Sequence, residues 1–148
     1  MQLRQKLATR IVLVAAMTLL GGCIGPFARG TSRDYAITVN RDTYSRGNTG
    51  EATIKNLSDK TLEYNLCQRR LERQENKYWL VAFEWPTAGG TCTTESRRLA
   101  KGESVNTFFE IPRGVPTDTY RVTFSGLTGK DGRTVGRDDA STPTFKVQ

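Results

Sequence analysis

The segment Thr61-Leu62-Glu63-Tyr64-Asn65-Leu66-Cys67 decides the fold, because it has the clearest strand pattern in the chain and ends in a cysteine. Its apolar side chains, at positions 62, 64 and 66, alternate with the polar side chains at positions 61, 63 and 65. A period of two places the two sets on opposite faces of a β-strand. We therefore expect a half-buried strand whose apolar face packs on a core.

The chain after residue 33 repeats this pattern in short segments that are separated by Gly, Pro, Asn and Asp. The segments 35–39, 50–56, 105–111, 119–124 and 142–147 are typical of strands. Helical spacing is scarce, and only residues 68–75 are polar and charged enough to form a short helix. The pattern predicts an all-β domain over residues 34–148, a two-sheet antiparallel sandwich of seven to nine strands.

Two segments beyond the opening strand predict a hairpin followed by a loop. Residues 71–74 and 77–83 flank the polar pair Glu75-Asn76, which is typical of a hairpin tip. The second arm is nearly continuous in apolar residues, so we expect both of its faces to be covered. Residues 85–90 contain Pro86 and two glycines, which cannot continue a ladder and predict an exposed loop.

A late strand carries a possible tyrosine corner. Tyr120 follows a Pro-x-Asp turn, and in that setting a phenol often hydrogen-bonds to the preceding connection. A tyrosine that is simply buried is the alternative interpretation.

The N-terminus has the order of a bacterial lipoprotein signal peptide. Cations at positions 4, 6 and 10 precede an apolar run at 11–20, and Gly21-Gly22-Cys23 follows. We expect residues 1–22 to be removed as a signal peptide. Cys23 would then carry diacylglycerol and an acyl chain such as palmitate, with residues 23–33 forming the lipidated N-terminus and a flexible tether.

Two other interpretations of the N-terminal segment remain. An uncleaved membrane anchor is disfavoured, because the apolar run is about half of the ~20 residues needed to span a bilayer. A soluble secreted protein that is cut near Ala15-Ala16 is the second alternative. If Cys23 is lipidated, Ile24 rather than an aspartate follows it, which favours the outer membrane in a Gram-negative host.

The two cysteines left after lipidation, Cys67 and Cys92, predict a disulfide in an exported chain. In the chain-entropy model, closing this loop stabilises the fold by about 3 to 3.5 kcal/mol. A tetrahedral zinc site lacks ligands, because the sequence contains no histidine and no further cysteine. We therefore expect no metal, and no cofactor apart from the covalent lipid.

The net charge of the chain is mildly positive. The full chain has 22 Lys and Arg against 15 Asp and Glu, and three of the cations lie in the signal segment. Such a surplus mainly favours solubility, although it also suits an anionic surface such as phospholipid or envelope polysaccharide. We expect no binding to nucleic acid.

Five arginines and one tryptophan form the candidate ligand surface, because the predicted disulfide draws their segments together. Arginine and tryptophan side chains together suit an anionic polymer or an acidic protein. The alternative is that these arginines are solvated strand edges that prevent edge-to-edge pairing. The residues are Arg69, Arg70, Arg73, Trp85, Arg97 and Arg98.

Several features follow one another in order along the chain. They are the segments 61–67, 71–73 and 78–79, a second cysteine, the turn Leu99-Ala100-Lys101-Gly102-Glu103 and residues 116–121. This arrangement resembles the small bacterial immunoglobulin-like domains of exported proteins and lipoproteins, over about residues 35–147. The resemblance implies an Ig-like sandwich. More loosely, the chain is similar to the proteinase-inhibitor type of Ig-like fold, which implies inhibition as an alternative activity, with the 85–91 loop as its reactive segment.

These features together predict a protein that is not an enzyme, since histidine is absent and the spare thiols are expected to be oxidised. We expect a monomeric, exported, lipid-anchored envelope protein whose Ig-like domain is a binding or assembly module. Its partners would be the membrane, through the lipid, and an envelope protein or anionic polymer. A structural envelope lipoprotein without a specific ligand is a further alternative.

Overall fold

The computed structural model describes residues 34–87 and 89–148, so the predictions for the signal peptide, Cys23 and the tether lie outside the described residues. The described residues form nine strands and contain no helix able to cross a bilayer. The strands are β1 (Tyr35–Val39), β2 (Thr43–Tyr44), β3 (Thr49–Asn56), β4 (Leu62–Glu75), β5 (Tyr78–Trp85), β6 (Arg97–Leu99), β7 (Ser104–Glu110), β8 (Asp118–Leu127) and β9 (Phe145–Val147).

The strands form two sheets. The smaller sheet has the order β1-β3-β7, and the larger has the order β2-β9-β8-β4-β5, with β6 also paired to β4. The pairs are antiparallel except for the short parallel pair of β2 with β9. The predicted all-β, Ig-like sandwich is confirmed, with this one parallel contact as its exception.

The core lies between the sheets and follows the predicted alternation. Tyr35, Ile37 and Val39 of β1 are buried, as are Tyr120, Val122 and Phe124 of β8. An aromatic cluster closes one part of the core, where the Tyr44 and Phe145 rings lie 5.0 Å apart edge to face and Phe109 stacks on Phe145 at 5.7 Å. Position 50 requires glycine, because a Cβ here would collide with the Phe109 ring.

The predicted tyrosine corner is present. The Tyr120 hydroxyl donates to the Pro116 carbonyl oxygen at 2.7 Å, and Tyr120 is fully buried. Burial raises the pKa of this phenol above its ordinary value. The turn before β8 is thereby tied to the strand that it feeds.

Strand β4 is a single strand of 14 residues, whereas the sequence pattern predicted a strand, a possible helix at 68–75 and a separate hairpin arm. The helical interpretation was wrong, because the charged side chains of this run lie on a strand that pairs with both β5 and β8. Its pairing with β8 is irregular between Asn65 and Arg69. Gly126 of β8 permits the close approach there, since a Cβ would collide with the Asn65 carbonyl oxygen.

Strand β5 is one edge of the larger sheet, and the prediction that both of its faces are covered was wrong. Tyr78 is 73% exposed, Leu80 45% and Val81 46%. The apolar side chains of this edge therefore remain at the surface.

The segment that links β8 to β9, residues 128–144, packs across the outer face of the larger sheet, and we call it the strap. It is held by backbone bonds from the Phe124 N–H to the Ala140 carbonyl (3.0 Å) and from the Thr142 N–H to the Val122 carbonyl (2.8 Å). Side chains add a buried contact of 2.7 Å between the Thr123 and Ser141 hydroxyls. The strap therefore buries polar side chains of β8 that a solvated sheet would expose.

Candidate anion-binding site

The predicted disulfide fixes one wall of the candidate site. Cys67 and Cys92 are bonded, with their Cα atoms 5.6 Å apart. Beside the bridge, the Asn65 amide donates to the carbonyl oxygens of Thr93 (2.8 Å) and Glu95 (3.0 Å). The bridge and this amide together hold the strandless segment 92–96 against the irregular part of β4.

Arg69 lies on β4 directly opposite Trp85 on β5. Its guanidinium carbon is 5.3 Å from the centroid of the tryptophan ring, and Trp85 in turn packs edge to face on Phe83 at 5.1 Å. The Arg69 Nη1 donates to the Leu66 carbonyl oxygen at 3.0 Å. The side chain is thus oriented by one hydrogen bond and one aromatic face.

No carboxylate of the described residues forms an ion pair with Arg69. Its Nε is buried and has no hydrogen-bond partner in the described structure. Burial lowers the pKa of this guanidinium from its ordinary value, yet an arginine stays charged in proteins. Arg70, its neighbour, differs in that its Nε lies 2.7 Å from a carboxylate oxygen of Glu84.

Two cavities adjoin the Arg69 side chain. The first, of about 230 Å³, lies between β4 and the end of β5. The second, of about 280 Å³, lies between β4, the 93–97 segment and β7. A half-buried positive charge bordered by two open cavities can accept an anionic group without any rearrangement of the strands. The first cavity is lined by Gln68, Arg69, Arg70, Glu84, Trp85, Pro86 and Ser125.

Of the six predicted ligand residues, the structure brings four around these cavities. Arg69, Arg70 and Trp85 line the first, and Arg97 joins Arg69 in the second.

The remaining two residues lie elsewhere. Arg98 is opposite Glu63 on the exposed edge and lines neither cavity. Arg73 lies beside Tyr120, where its guanidinium contacts Glu75 at 3.2 Å and Asp118 at 4.0 Å.

A charged cluster that the sequence analysis did not identify lies under the strap. Glu72 is fully buried, and its carboxylate accepts from Arg121 (2.8 Å) and Arg137 (2.7 Å). Arg121 also contacts Asp138 at 2.9 Å, and its guanidinium carbon lies 4.3 Å from the ring centroid of Trp79. Arg137 donates as well to the Trp79 carbonyl oxygen of β5 at 3.0 Å.

No local sequence signal distinguishes this cluster. Glu72 lies in a run of charges, and Arg121 alternates with buried residues as any outward-facing side chain does. Only the pairing of β4 with β8 puts them opposite each other.

In the 85–91 loop, the structure describes residues 85–87 and 89–91, and of these residues 87 and 89–91 are exposed. It begins with a cis peptide bond between Trp85 and Pro86, and the Gly90 N–H donates to the Thr87 carbonyl oxygen at 2.8 Å. Gly89 has a φ of 90°, which a residue with a side chain rarely adopts. Trp85 itself is partly buried against Arg69 and Phe83, so the exposed part of the loop begins after it.

Comparison with known proteins gives structural similarity only. No protein-family model and no curated protein sequence matches the chain. Among solved structures, it is similar to the sporulation control protein Spo0M of Bacillus subtilis (11% identity, TM-score 0.47), covering 78% of this chain and 49% of that one. The chain thus spans about half the length of Spo0M.

Two further solved structures are similar over most of their length. One is a Niemann-Pick type C2 protein from the Japanese carpenter ant, with 9% identity, TM-score 0.46, and coverage of 82% of this chain and 98% of that one. The other is an ASH/PapD-like domain of human CEP192, with 14% identity, TM-score 0.30, and coverage of 96% and 94%. At these identities and TM-scores the three matches carry no conclusion about this chain, and the assignment as an Ig-like sandwich rests on the observed strand topology.

Proposed function

We propose that this protein is a lipid-anchored component of a bacterial cell envelope whose Ig-like domain binds, without catalysis, an anionic group of another envelope component. The observation that carries the proposal is the Arg69 guanidinium, which is half-buried, held on Trp85 and not ion-paired with any described carboxylate. The ligand would be an anionic polysaccharide or an acidic protein segment.

The physical argument starts from an uncompensated charge. The Arg69 guanidinium has no carboxylate partner among the described residues, and its Nε is enclosed, so a ligand must reach its Nη nitrogens from the adjoining cavities. A carboxylate, sulfate or phosphate in one of these cavities would supply the missing counter-charge and form a charge-assisted hydrogen bond. Arg97, in the same cavity, would supply a second cation.

Pre-organisation strengthens the site. The bond from Arg69 to the Leu66 carbonyl and the stacking on Trp85 restrict the guanidinium before any ligand arrives. A ligand that meets an ordered side chain does not bear the entropy of fixing it.

Export and anchoring are supported by two features. Residues 20–23 have the Leu-Gly-Gly-Cys order of a lipoprotein processing site. The disulfide is the second, because such bonds persist in oxidising compartments outside the cytosol.

Binding is tested with full-length protein on an immobilised sulfated polysaccharide eluted by a salt gradient. Arg69→Gln and Arg70→Gln each remove one positive charge, so non-specific retention falls equally in both. We expect Arg69→Gln to elute at distinctly lower salt, because Arg70 is already neutralised by Glu84. Equal elution of the two variants would contradict a site at Arg69 and would favour a structural lipoprotein without a ligand.

Anchoring is tested by mass spectrometry of the protein purified from its host's membranes. We expect the N-terminal peptide to begin at Cys23 and to carry the mass of a diacylglycerol and an acyl chain. Cys23→Ala should move the protein from the membrane to the soluble fraction. An unmodified Cys23 in a membrane-bound protein would refute the proposed anchor.

A further inference from the structure

Strand β5 ends the larger sheet, and no strand of the described residues lies along its outer side. It is eight residues long, and β4 is its only partner within residues 34–87 and 89–148. An edge of this kind presents backbone N–H and C=O groups that a further strand can pair with.

Apolar side chains occupy both faces of this edge. Trp79 and Val81 lie on the face of the strap, because the Trp79 ring stacks on Arg121 and Val81 is opposite Glu72. Leu80 lies on the other face, opposite Arg73. Leu80 and Val81 are 45% and 46% exposed, so a neighbouring strand would cover apolar surface on both sides.

The usual protections of an edge strand are sparse here. Natural edges carry charged side chains, prolines or bulges that block pairing. Residues 78–83 contain no charged residue and no proline, and the irregular pairing with β4 begins only after Val81. The regular part of the edge, 78–81, is therefore open.

We propose that β5 pairs antiparallel with β5 of a second copy of this chain, about a twofold axis that passes near Leu80. Directly opposite residues in an antiparallel pair point to the same face. A register centred on Leu80 satisfies this requirement, since it sets Leu80 against Leu80 on one face and Trp79 against Val81 on the other. A shift by one residue would oppose side chains of unlike faces.

Charge supports a second copy as the occupant. Lys77 precedes the strand, and Glu84 lies near its end with a side chain 56% exposed. In the register centred on Leu80, Lys77 of each copy lies opposite Phe83 of the other and next to Glu84, whose carboxylate also contacts Arg70 of its own chain, so the contact occurs twice. A parallel arrangement would bring like charges together instead.

The size of the contact sets its strength. A single pair of short strands buries roughly 1,000 Å² or less, which is the lower end for a specific interface and typical of weak association. Under the lipid anchoring proposed above, confinement of both copies to one membrane would raise their effective concentration. The sequence by itself favours a monomer, and the open edge argues instead for a weak membrane-supported dimer.

Cross-linking of the full chain in membranes tests the register. Leu80→Cys places one thiol of each copy at the twofold axis, within reach of a short bifunctional thiol reagent. Phe108→Cys is the matched control, because Phe108 is also apolar and 59% exposed but lies on the other sheet. We expect a covalent species of twice the monomer mass. It should be at least about tenfold more abundant for Leu80→Cys than for the control, a factor that corresponds to a clear difference in affinity.

A second variant separates pairing from folding. Leu80→Lys opposes two like charges at the axis and should weaken the dimer by up to about fivefold, the factor that corresponds to the cost of like charges directly opposite across strands. Because Leu80 is half-exposed, the variant should unfold at nearly the wild-type temperature. No excess of linked dimer for Leu80→Cys, linkage to a different protein instead, or an unchanged dimer fraction in Leu80→Lys would each overturn self-pairing. None of these results bears on Arg69, so the anion site stands or falls separately.

Discussion

Two arginines stack on tryptophans of the same strand, β5, and they differ in their counter-charges. Arg121 lies 4.3 Å from the centroid of Trp79 and contacts the carboxylates of Glu72 and Asp138. Arg69 lies 5.3 Å from the centroid of Trp85 and has no carboxylate partner among residues 34–87 and 89–148.

The difference follows from what covers each face. The strap lies over Arg121 and supplies Asp138 and Arg137, so the charges there are paired and enclosed. The cavities beside Arg69 are open, so its charge is available to a ligand. The same stacking of arginine on tryptophan thus stabilises the fold at Arg121 and leaves a cation accessible to a ligand at Arg69.

The largest expected effect on stability comes from a substitution that breaks the enclosed charge cluster of Glu72, Arg121 and Arg137. Glu72→Ala leaves the buried Arg121 guanidinium without its nearer counter-charge, and removing one partner of a buried ion pair costs about 3 to 5 kcal/mol. Denaturant unfolding should show this loss in the free energy of unfolding. Glu84→Ala is the control, because its pair with Arg70 is half-exposed and is worth about 0 to 1 kcal/mol. Similar losses in the two variants would erase the contrast between enclosed and open charges.

Removal of the disulfide tests the open site. The double change Cys67→Ser and Cys92→Ser should lower the free energy of unfolding by about 3 kcal/mol, the value for a loop of this size. It should also weaken retention on the sulfated polysaccharide, because the bridge holds the wall that faces Arg69. A variant that is destabilised but retained as strongly as the wild type would show that this wall is dispensable for binding.

The phenol of Tyr35 is a neutral buried group whose contribution to stability can be compared with that of the two charged sites. The Tyr35 hydroxyl donates to the Thr128 carbonyl oxygen at 2.9 Å, and burial, as the main cause, raises the pKa of this phenol to about 12. Because the folded pKa lies above the unfolded value of about 10, this contribution to stability is complete below pH 10 and is lost as pH rises toward 12.

Melting temperatures measured from pH 8 to about 11.5 check this expectation. Tyr35→Phe should lose about 1 kcal/mol at neutral pH, the usual net value of a hydrogen bond. Its melting temperature should then fall less steeply than that of the wild type on the alkaline side. Parallel curves for the two proteins would argue that Tyr35 ionises as readily in the folded state as in the unfolded state.

The smallest effect is expected at Arg69. Arg69→Met should change the free energy of unfolding by less than about 1 kcal/mol, or raise it, because an unpaired and partly desolvated charge is replaced by an apolar side chain. Arg121→Met serves as the paired comparison and should destabilise the protein clearly, since it leaves Glu72 with Arg137 alone. A large loss for Arg69→Met would mean that Arg69 is a structural residue.

Much of the fold was predictable from alternation. The buried faces of β1 and β8 follow from local pattern and the pairing of Cys67 with Cys92 from the number of cysteines, and the structure confirms them. The continuous strand β4 was missed because its charged second half resembles a short helix or a hairpin arm when tertiary neighbours are unknown.

The candidate site was predictable only in part. Arg69, Arg70 and Trp85 were identified from their spacing around the cysteines, and the register of β4 with β5 brings them together. Arg73 is four residues further along the same strand, which places it roughly 13 Å away at the rise of an extended chain.

The amino-acid sequence by itself determined most of the strands, the disulfide and the lipoprotein-like order of residues at the N-terminus, because each depends on residues that are close together or on simple counting. Only the tertiary structure decided which arginine is neutralised and which apolar strand stays exposed. Those outcomes depend on sheet order and on where the strap crosses, and residues as distant as Glu72 and Arg137 become neighbours only after the strands have paired.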